Sequence, residues 1–183
     1  MKLNIGGGFT YCDNFRNVDI CKEYLVWWFP AKQLLYKLSG THKYHSFEKF
    51  KKVLESKPIH HDVRKPLPFK SKSVDEIYTS HLLEHLKFWD GVIFLHYCLY
   101  CLRPSGVLRI VTPDFDIVDK TVLFNEFSDE WSRHKWVWSF SEIKAIFPSA
   151  VKLKQFEGDS TAKVLDSMPE QSMYIEIIKD EKC

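Results

Sequence analysis

A chain of 183 residues that is 45% hydrophobic and 15% aromatic can bury the core of one sizeable domain but is short for two. Its formal charge of +2, with basic and acidic residues mixed along its length, gives no net-charge reason to expect capture of nucleic acid or of an anionic membrane. Cys12, Cys21, Cys98, Cys101 and Cys183 are odd in number and irregularly spaced, and no signal-like stretch precedes Lys2, so the expectation is a cytoplasmic chain without a disulfide framework.

In chain order, Lys2-Leu3-Asn4-Ile5 reads as a short buried strand that runs straight into Gly6-Gly7-Gly8. Residues without a Cβ let main chain approach a ligand closely. Asn17-Val18-Asp19-Ile20 then reads as the end of a neighbouring strand, with an acid placed to accept both hydroxyls of a ribose, as in dinucleotide sites. The pair points to a nucleotide-like cofactor; the plainer reading is a tight loop, because a glycine run is weak evidence outside its strand context. The most apolar patch, Tyr24 to Tyr36, is broken by Pro30, Lys32 and Gln33 and is too short to span a bilayer, although Trp27, Trp28 and Phe29 could touch one.

Lys57 to Val63 predicts a short strand, and Arg64-Lys65-Pro66-Leu67-Pro68-Phe69 a rigid loop, since two prolines exclude both helix and regular ladder. Ser73 to Ser80 predicts a strand. Leu82, Leu83, Leu86, Val92, Ile93, Leu95 and Leu99 carry helical spacing until Arg103-Pro104-Ser105-Gly106 stops it. Val107 to Thr112 suits a central strand ended by Pro113-Asp114-Phe115, and a further helix is expected after Ser141. Val151 to Phe156 and Met173 to Ile178 alternate as a terminal antiparallel hairpin would. Strands alternating with helices argue for an α/β sheet. The sequence shows no internal repeat, low-complexity tract or linker, so residues 1–183 read as a single domain.

Taken together, Leu3 to Gly8, Asn17 to Ile20, His61 to Phe69, Ser73 to Tyr78, His81-Leu82-Leu83-Glu84-His85 and Leu102 to Gly106 give the chain a resemblance to the class I S-adenosylmethionine-dependent methyltransferases, of the methyltransferase type 11 kind, over about Lys2 to Phe115. The resemblance implies a Rossmann-like, mostly parallel sheet of seven-strand type, flanked by helices and closed by an antiparallel terminal hairpin. It implies S-adenosylmethionine as cofactor, with Gly6, Gly7 and Gly8 along its methionine part, Asp19 and Ile20 at the ribose, Asp62 and Val63 at the adenine, and Ser80 and His81 beside the sulfonium. The last third of the chain matches only in outline. Two departures stand out: the link from Gly8 to Asn17 has almost no room for the usual first helix, and an aromatic- and lysine-rich insertion at about 21–57 occupies a place where compact members need a few residues. Such an insertion can cap a site, contact a partner, or simply fold as an extra helix or two against the sheet edge.

If the methyl acceptor is a hydroxyl, a base must remove its proton. His81 is the first candidate, because imidazole titrates near neutrality and follows a strand tip, and Asp114 at the next strand tip is the second. The plainer readings are a core-bonded imidazole and a turn aspartate. The expected activity is therefore methyl transfer to a small molecule such as a saccharide or metabolite hydroxyl, with no nucleic-acid partner, no transmembrane segment and no metal.

Other readings compete. A dinucleotide oxidoreductase shares the glycine turn and acid but would need a spaced G-x-G-x-x-G and a second half. A non-catalytic cofactor-binding or partner-binding module of the same fold would explain the short first loop. His81-x-x-Glu84-His85 also spells the motif of inverted zinc metallopeptidases, with Glu126 or Glu130 available as a third ligand, but that reading leaves Asp19 and the glycines without a purpose. Cys98-x-x-Cys101 has metal-like spacing without a second pair and reads as core packing. His42, His45, His60 and His61 fit a weak metal site or scattered surface positions equally well. Trp131, His134, Trp136, Trp138 and Phe140 read either as a stacking surface for an acceptor or as core beneath a loop.

Overall fold

The computed structural model describes residues 1–113, 134–147, 151–155 and 172–180, with only the backbone described in 151–155. Among the described residues seven strands form one sheet: β1 Lys2–Ile5, β2 Phe15–Asp19, β3 Ile59–His60, β4 Val74–Ser80, β5 Leu102–Pro113, β6 Val151–Gln155 and β7 Ser172–Lys179, in the order β3-β2-β1-β4-β5-β7-β6. All neighbours are parallel except those of β7, which runs antiparallel to both β5 and β6. The α/β class and the terminal antiparallel hairpin expected from the sequence are both present.

Parallel strands covered on both faces need apolar side chains on both. Leu3, Ile5, Val18, Ile77, Leu108 and Ile110 share one face through the strand register and are buried in the main core, and Phe15, Tyr78 and Val111 are buried on the other. The crossover from β4 to β5 is helix α3, Phe88–Cys101, whose Phe94, Leu95, Cys98 and Cys101 join the same core. Cys98 and Cys101 are buried free thiols packed there, as expected. Lys179 Nζ donates to the carbonyls of Leu99 and Leu102 at 2.7 and 2.8 Å, so a buried cation caps the orphan acceptors where α3 runs into β5.

Several expected boundaries move. Strand β3 is only two residues long, because Val63 and the prolines beyond it leave the ladder. The spacing from Leu82 to Leu99 does not make one helix: Leu83–His85 is a single 3-10 turn, and Leu86 and Lys87 are extended before α3 begins. Arg103 to Gly106 still breaks the pattern, but inside β5, where the register against β4 jumps from Val74–Leu102 to Glu76–Val107 and Ser105 adopts φ +60°. The helix expected after Ser141 is α4, Phe140–Ile146, and starts at Phe140, before Ser141, because Ser139 and Glu142 form a capping box.

No helix joins β1 to β2. Between β2 and β3 lie a 3-10 turn Lys22–Val26, helix α1 Lys32–Leu38, a 3-10 turn Thr41–Lys43 and helix α2 Phe47–Glu55, capped by the Ser46 hydroxyl. Tyr24, Phe50, Val53 and Leu54 make a second apolar cluster with Phe9 of the glycine loop, and the Phe9 ring stacks on Phe50 at 5.1 Å and meets Tyr24 edge-on at 5.7 Å. Trp138 is fully buried; its ring stacks on Phe88 at 5.4 Å and its indole N–H donates to the Leu83 carbonyl, which makes it core rather than a stacking platform. Trp131 and Asp114 lie outside the described residues.

Candidate functional site

Strand β1 pairs with β2 on one side and β4 on the other, so the strand order reverses at its carboxyl end. Open α/β sheets carry their ligands in the crevice at that point. A cavity of about 320 Å³ opens there, floored by Gly6 after β1, Asp19 and Ile20 at the end of β2, and His81 and Leu82 after β4. His61 to Arg64 wall it on one side, and His85, Leu86, Lys87, Asp90 and Lys135 on the other.

The loop after β1 holds its shape through side chains where a helix is missing. The buried Asn17 amide donates to the carbonyls of Gly8 at 2.9 Å and Thr10 at 3.0 Å, and Asn4 reaches Thr10 as well at 3.3 Å. Tyr24 hydroxyl donates to the Gly8 carbonyl and accepts from Asn17, tying the loop to the insertion. Burial raises the Tyr24 phenol and keeps it a donor. Gly6 has φ +77°, and a Cβ there would lie 2.7 Å from Leu82; a Cβ on Gly7 would lie 2.2 Å from the Asn4 amide. Gly6 therefore borders the cavity, whereas Gly7 leaves room for Asn4 and Gly8 turns its N–H onto Asp19 at 2.9 Å.

Asp19 Oδ1 also faces the Cys21 thiol at 3.4 Å, and burial followed by the Asp19 charge pushes that thiol up, so it stays an S–H donor. An ionised carboxylate has about four acceptor positions, so two contacts leave Asp19 with acceptor capacity toward the cavity. Ile20, Val63, Leu82 and Leu86 give the same cavity apolar walls. The Asp19 acceptor beside these apolar walls fits a nucleoside, which needs a diol acceptor beside a flat apolar slot.

Asp62 stands where the resemblance places the adenine. Arg64 grips it with its backbone N–H at 3.0 Å and its guanidinium at 2.7 to 3.2 Å, and this hydrogen bonding pulls the carboxyl down to about 2 against the opposing pull of burial. Asp62 is thus a fixed acceptor, and Arg64 shares its wall of the cavity.

At the far end, His81 leaves β4 in a left-handed backbone conformation, φ +49°, with its N–H on the Val111 carbonyl at 2.9 Å. That region is uncommon for a residue with a Cβ and is held only where the surroundings over-determine it. Here they do. His81 Nδ1 donates to Glu84 Oε1 at 3.0 Å, Glu84 is buried, and its other oxygen accepts from Thr112 Oγ1 at 3.3 Å. A carboxylate on Nδ1 fixes the tautomer and leaves Nε2 as the basic atom. Nε2 faces Ser172 Oγ of β7 at 3.2 Å. Ser80, buried beside it, keeps an Oγ without a hydrogen-bond partner among the described residues.

Of the residues expected from the sequence, Gly6, Asp19, Ile20, Asp62, Val63 and His81 come together on the cavity; Gly7, Gly8 and Ser80 do not line it. Sequence reasoning missed Glu84 as the partner of His81, although three-residue spacing between a histidine and an acid was its signal. The peptidase reading needs His81 and His85 on one helix face, and the chain instead makes a single 3-10 turn there, with Glu84 spent on His81. Glu84, His85 and His134 do bring one ligand atom each within 4.8 Å of one another. His42, His45, His60 and His61 join no such cluster among the described residues.

No family model matches the sequence. Nor does any curated protein. Solved structures do match in fold. A SAM-dependent methyltransferase from Archaeoglobus fulgidus superposes with a TM-score of 0.59 at 18% identity, covering 97% of this chain and 85% of its own. The YcgJ protein from Bacillus subtilis gives 0.55 at 16%, covering 98% and 92%. A SAM-dependent methyltransferase from Aquifex aeolicus gives 0.54 at 15%, covering 97% and 81%. The fold is that of the class I methyltransferases.

Proposed function

We propose that this protein transfers a methyl group from S-adenosylmethionine to a small-molecule acceptor, with a saccharide or other metabolite hydroxyl as the group that attacks. The observation that carries the reading is Asp19 at the tip of β2, facing the cavity at the point where the strand order reverses, next to a glycine with no Cβ to fill the crevice.

In this reading Gly6 lies against the methionine end, with Gly7 and Gly8 shaping the turn behind it, Asp19 and Ile20 hold the ribose, Asp62 and Val63 the adenine, and Ser80 and His81 form the neighbourhood of the reacting carbon. S-adenosylmethionine, when bound, supplies an electrophilic methyl group on a positively charged sulfur. The work left to the protein is to hold the acceptor in line and exclude water. Leu82 and Leu86 wall off water, and His81 Nε2 accepts the hydroxyl proton once Ser172 turns away or relays it. Glu84 acts through His81, as a positioning residue that stabilises the imidazolium. Asp114 is the second base candidate and lies outside the described residues. We read residues 1–183 as one methyltransferase-like unit in the cytoplasm; among the described residues no helix is long and apolar enough to cross a membrane.

A second reading, a cofactor-binding or partner-binding module without turnover, draws on Asp19 already accepting from Gly8 and Cys21. A thermal-shift assay with S-adenosylmethionine and with NAD, followed by an acceptor screen with radiolabelled cofactor, separates them. Stabilisation by S-adenosylmethionine alone, with label passed to an acceptor, supports the enzyme; stabilisation without transfer across the screen favours the module. No stabilisation removes the cofactor from both.

A further inference from the structure

The whole-chain charge of +2 conceals an asymmetry: residues 21–57 hold eight lysines and three glutamates, with no arginine or aspartate, so that segment carries +5 and the remainder −3. Lys52 and Lys57 lie over the rings of Tyr11 and Trp27 at 5.7 and 5.9 Å. Lys22, Lys32, Lys37, Lys43, Lys49 and Lys51 form no ion pair with a described residue. Large apolar side chains stand out among them. Leu38 is 76% exposed, Trp28 64% and Leu25 58%. Leu34 and Leu38 are one helical turn apart and share the outer face of α1.

From these features we infer that the insertion docks on an anionic phospholipid bilayer, with Trp28, Leu34 and Leu38 entering the headgroup boundary and lysines meeting the phosphates. Between α1 and α2 an open groove is lined by Lys32, Lys37 and Lys51, with Glu55 as its one carboxylate, beside Leu34 and Phe47; three lysines against one acid offer a place for a lipid phosphate next to its chain. Basic residues alternating with exposed leucine and tryptophan are the composition of interfacial segments. The support is rigid, because Tyr24, Phe50, Val53 and Leu54 pack as a core behind this surface. Helix α3 provides the contrast: it exposes Trp89, Ile93 and Tyr100 yet has no lysine or arginine, so apolar exposure there lacks its electrostatic companion. Nucleic acid would be met by arginine together with stacked aromatics; the insertion exposes Trp28 and Tyr44 but has no arginine, and it sets Leu25, Leu34 and Leu38 exposed beside them.

The test uses the full chain in co-sedimentation with vesicles of phosphatidylcholine alone and of phosphatidylcholine mixed with phosphatidylglycerol. Binding to the mixed vesicles only, weakening as salt rises, is the expected result. Lys32→Gln/Lys37→Gln/Lys51→Gln is expected to cut the partition about a hundredfold, at about fivefold per lysine. Trp28→Ser/Leu38→Ser reduces it on the same vesicles, and all these surface variants keep the wild-type circular dichroism and melting point. Equal binding to both vesicle types, binding to neither, or a lysine variant that partitions like wild type overturns the inference. So does displacement by inorganic phosphate at matched phosphate concentration, which marks a simple ion site, or a concentration-dependent dimer lost in Leu38→Ser, which marks a contact between two copies. None of these readouts involves a methyl donor, so the inference stands or falls apart from the proposed activity.

Discussion

The two sides of the cavity are built by opposite means. Beside β2, side chains serve the backbone: Asn4, Asn17 and Tyr24 satisfy loop carbonyls that the first turn of a helix would otherwise order, and Asp19 receives the Gly8 N–H. Beside β4 the backbone serves a side chain, since the left-handed turn at His81 aims an imidazole at Glu84 and Ser172. Substitutions on the first side should therefore change binding and stability together, and those on the second should separate chemistry from both.

The largest effect expected is that of Asp19→Ala, which removes the acceptor for a diol. Losing two hydrogen bonds to a charged group costs about 3 kcal/mol or more, so stabilisation by S-adenosylmethionine in a thermal shift should vanish. Asn17→Ala sharpens the same side: its amide N–H contacts to two loop carbonyls and to Tyr24 go, as does the hydrogen bond its Oδ1 accepts from Asn4, and denaturant unfolding should report a loss of about 2 to 3 kcal/mol. On the other side, Glu84→Gln should leave cofactor binding intact and lower turnover by about tenfold to a hundredfold, part of what general-base catalysis supplies. Single-turnover kinetics with a separate cofactor titration checks it, and equal loss in both would erase the contrast between the two sides.

Arg64→Ala is expected to do least. Asp62 is held at about 2 by Arg64, so the pair contributes fully above the ordinary carboxylate range and fades as pH falls toward that value. The Arg64 side chain is 47% exposed, which limits the contribution to under about 1 kcal/mol. Carboxyl NMR should show the Asp62 midpoint rising to about 4 in the variant.

Much of this architecture was legible because strand tips carry their signals locally. Ile5 before three glycines, Val18 before Asp19 and Tyr78 before Ser80 mark three neighbouring strand ends in sequence order. The His81 turn was not legible: Leu82, Leu83 and Leu86 keep the period of the helix that follows, and the three-residue spacing of His81 and Glu84 suits a pair on that helix equally well, so it does not say that the segment stays out of the helix. Gly7 and Gly8 looked like ligand contacts because composition cannot show that Asn4 fills the space below one and Asp19 takes the N–H of the other. The insertion hid its character for a different reason. Its charge is local, and the +2 of the chain averages it away.

The sharpest test is a crystal grown with S-adenosylhomocysteine. The ribose hydroxyls should lie on the Asp19 carboxylate with the sulfur near the Ser80–His81 end of the cavity. Density elsewhere, or a cavity that stays empty while Asp19 remains engaged only with Gly8 and Cys21, would contradict the assignment.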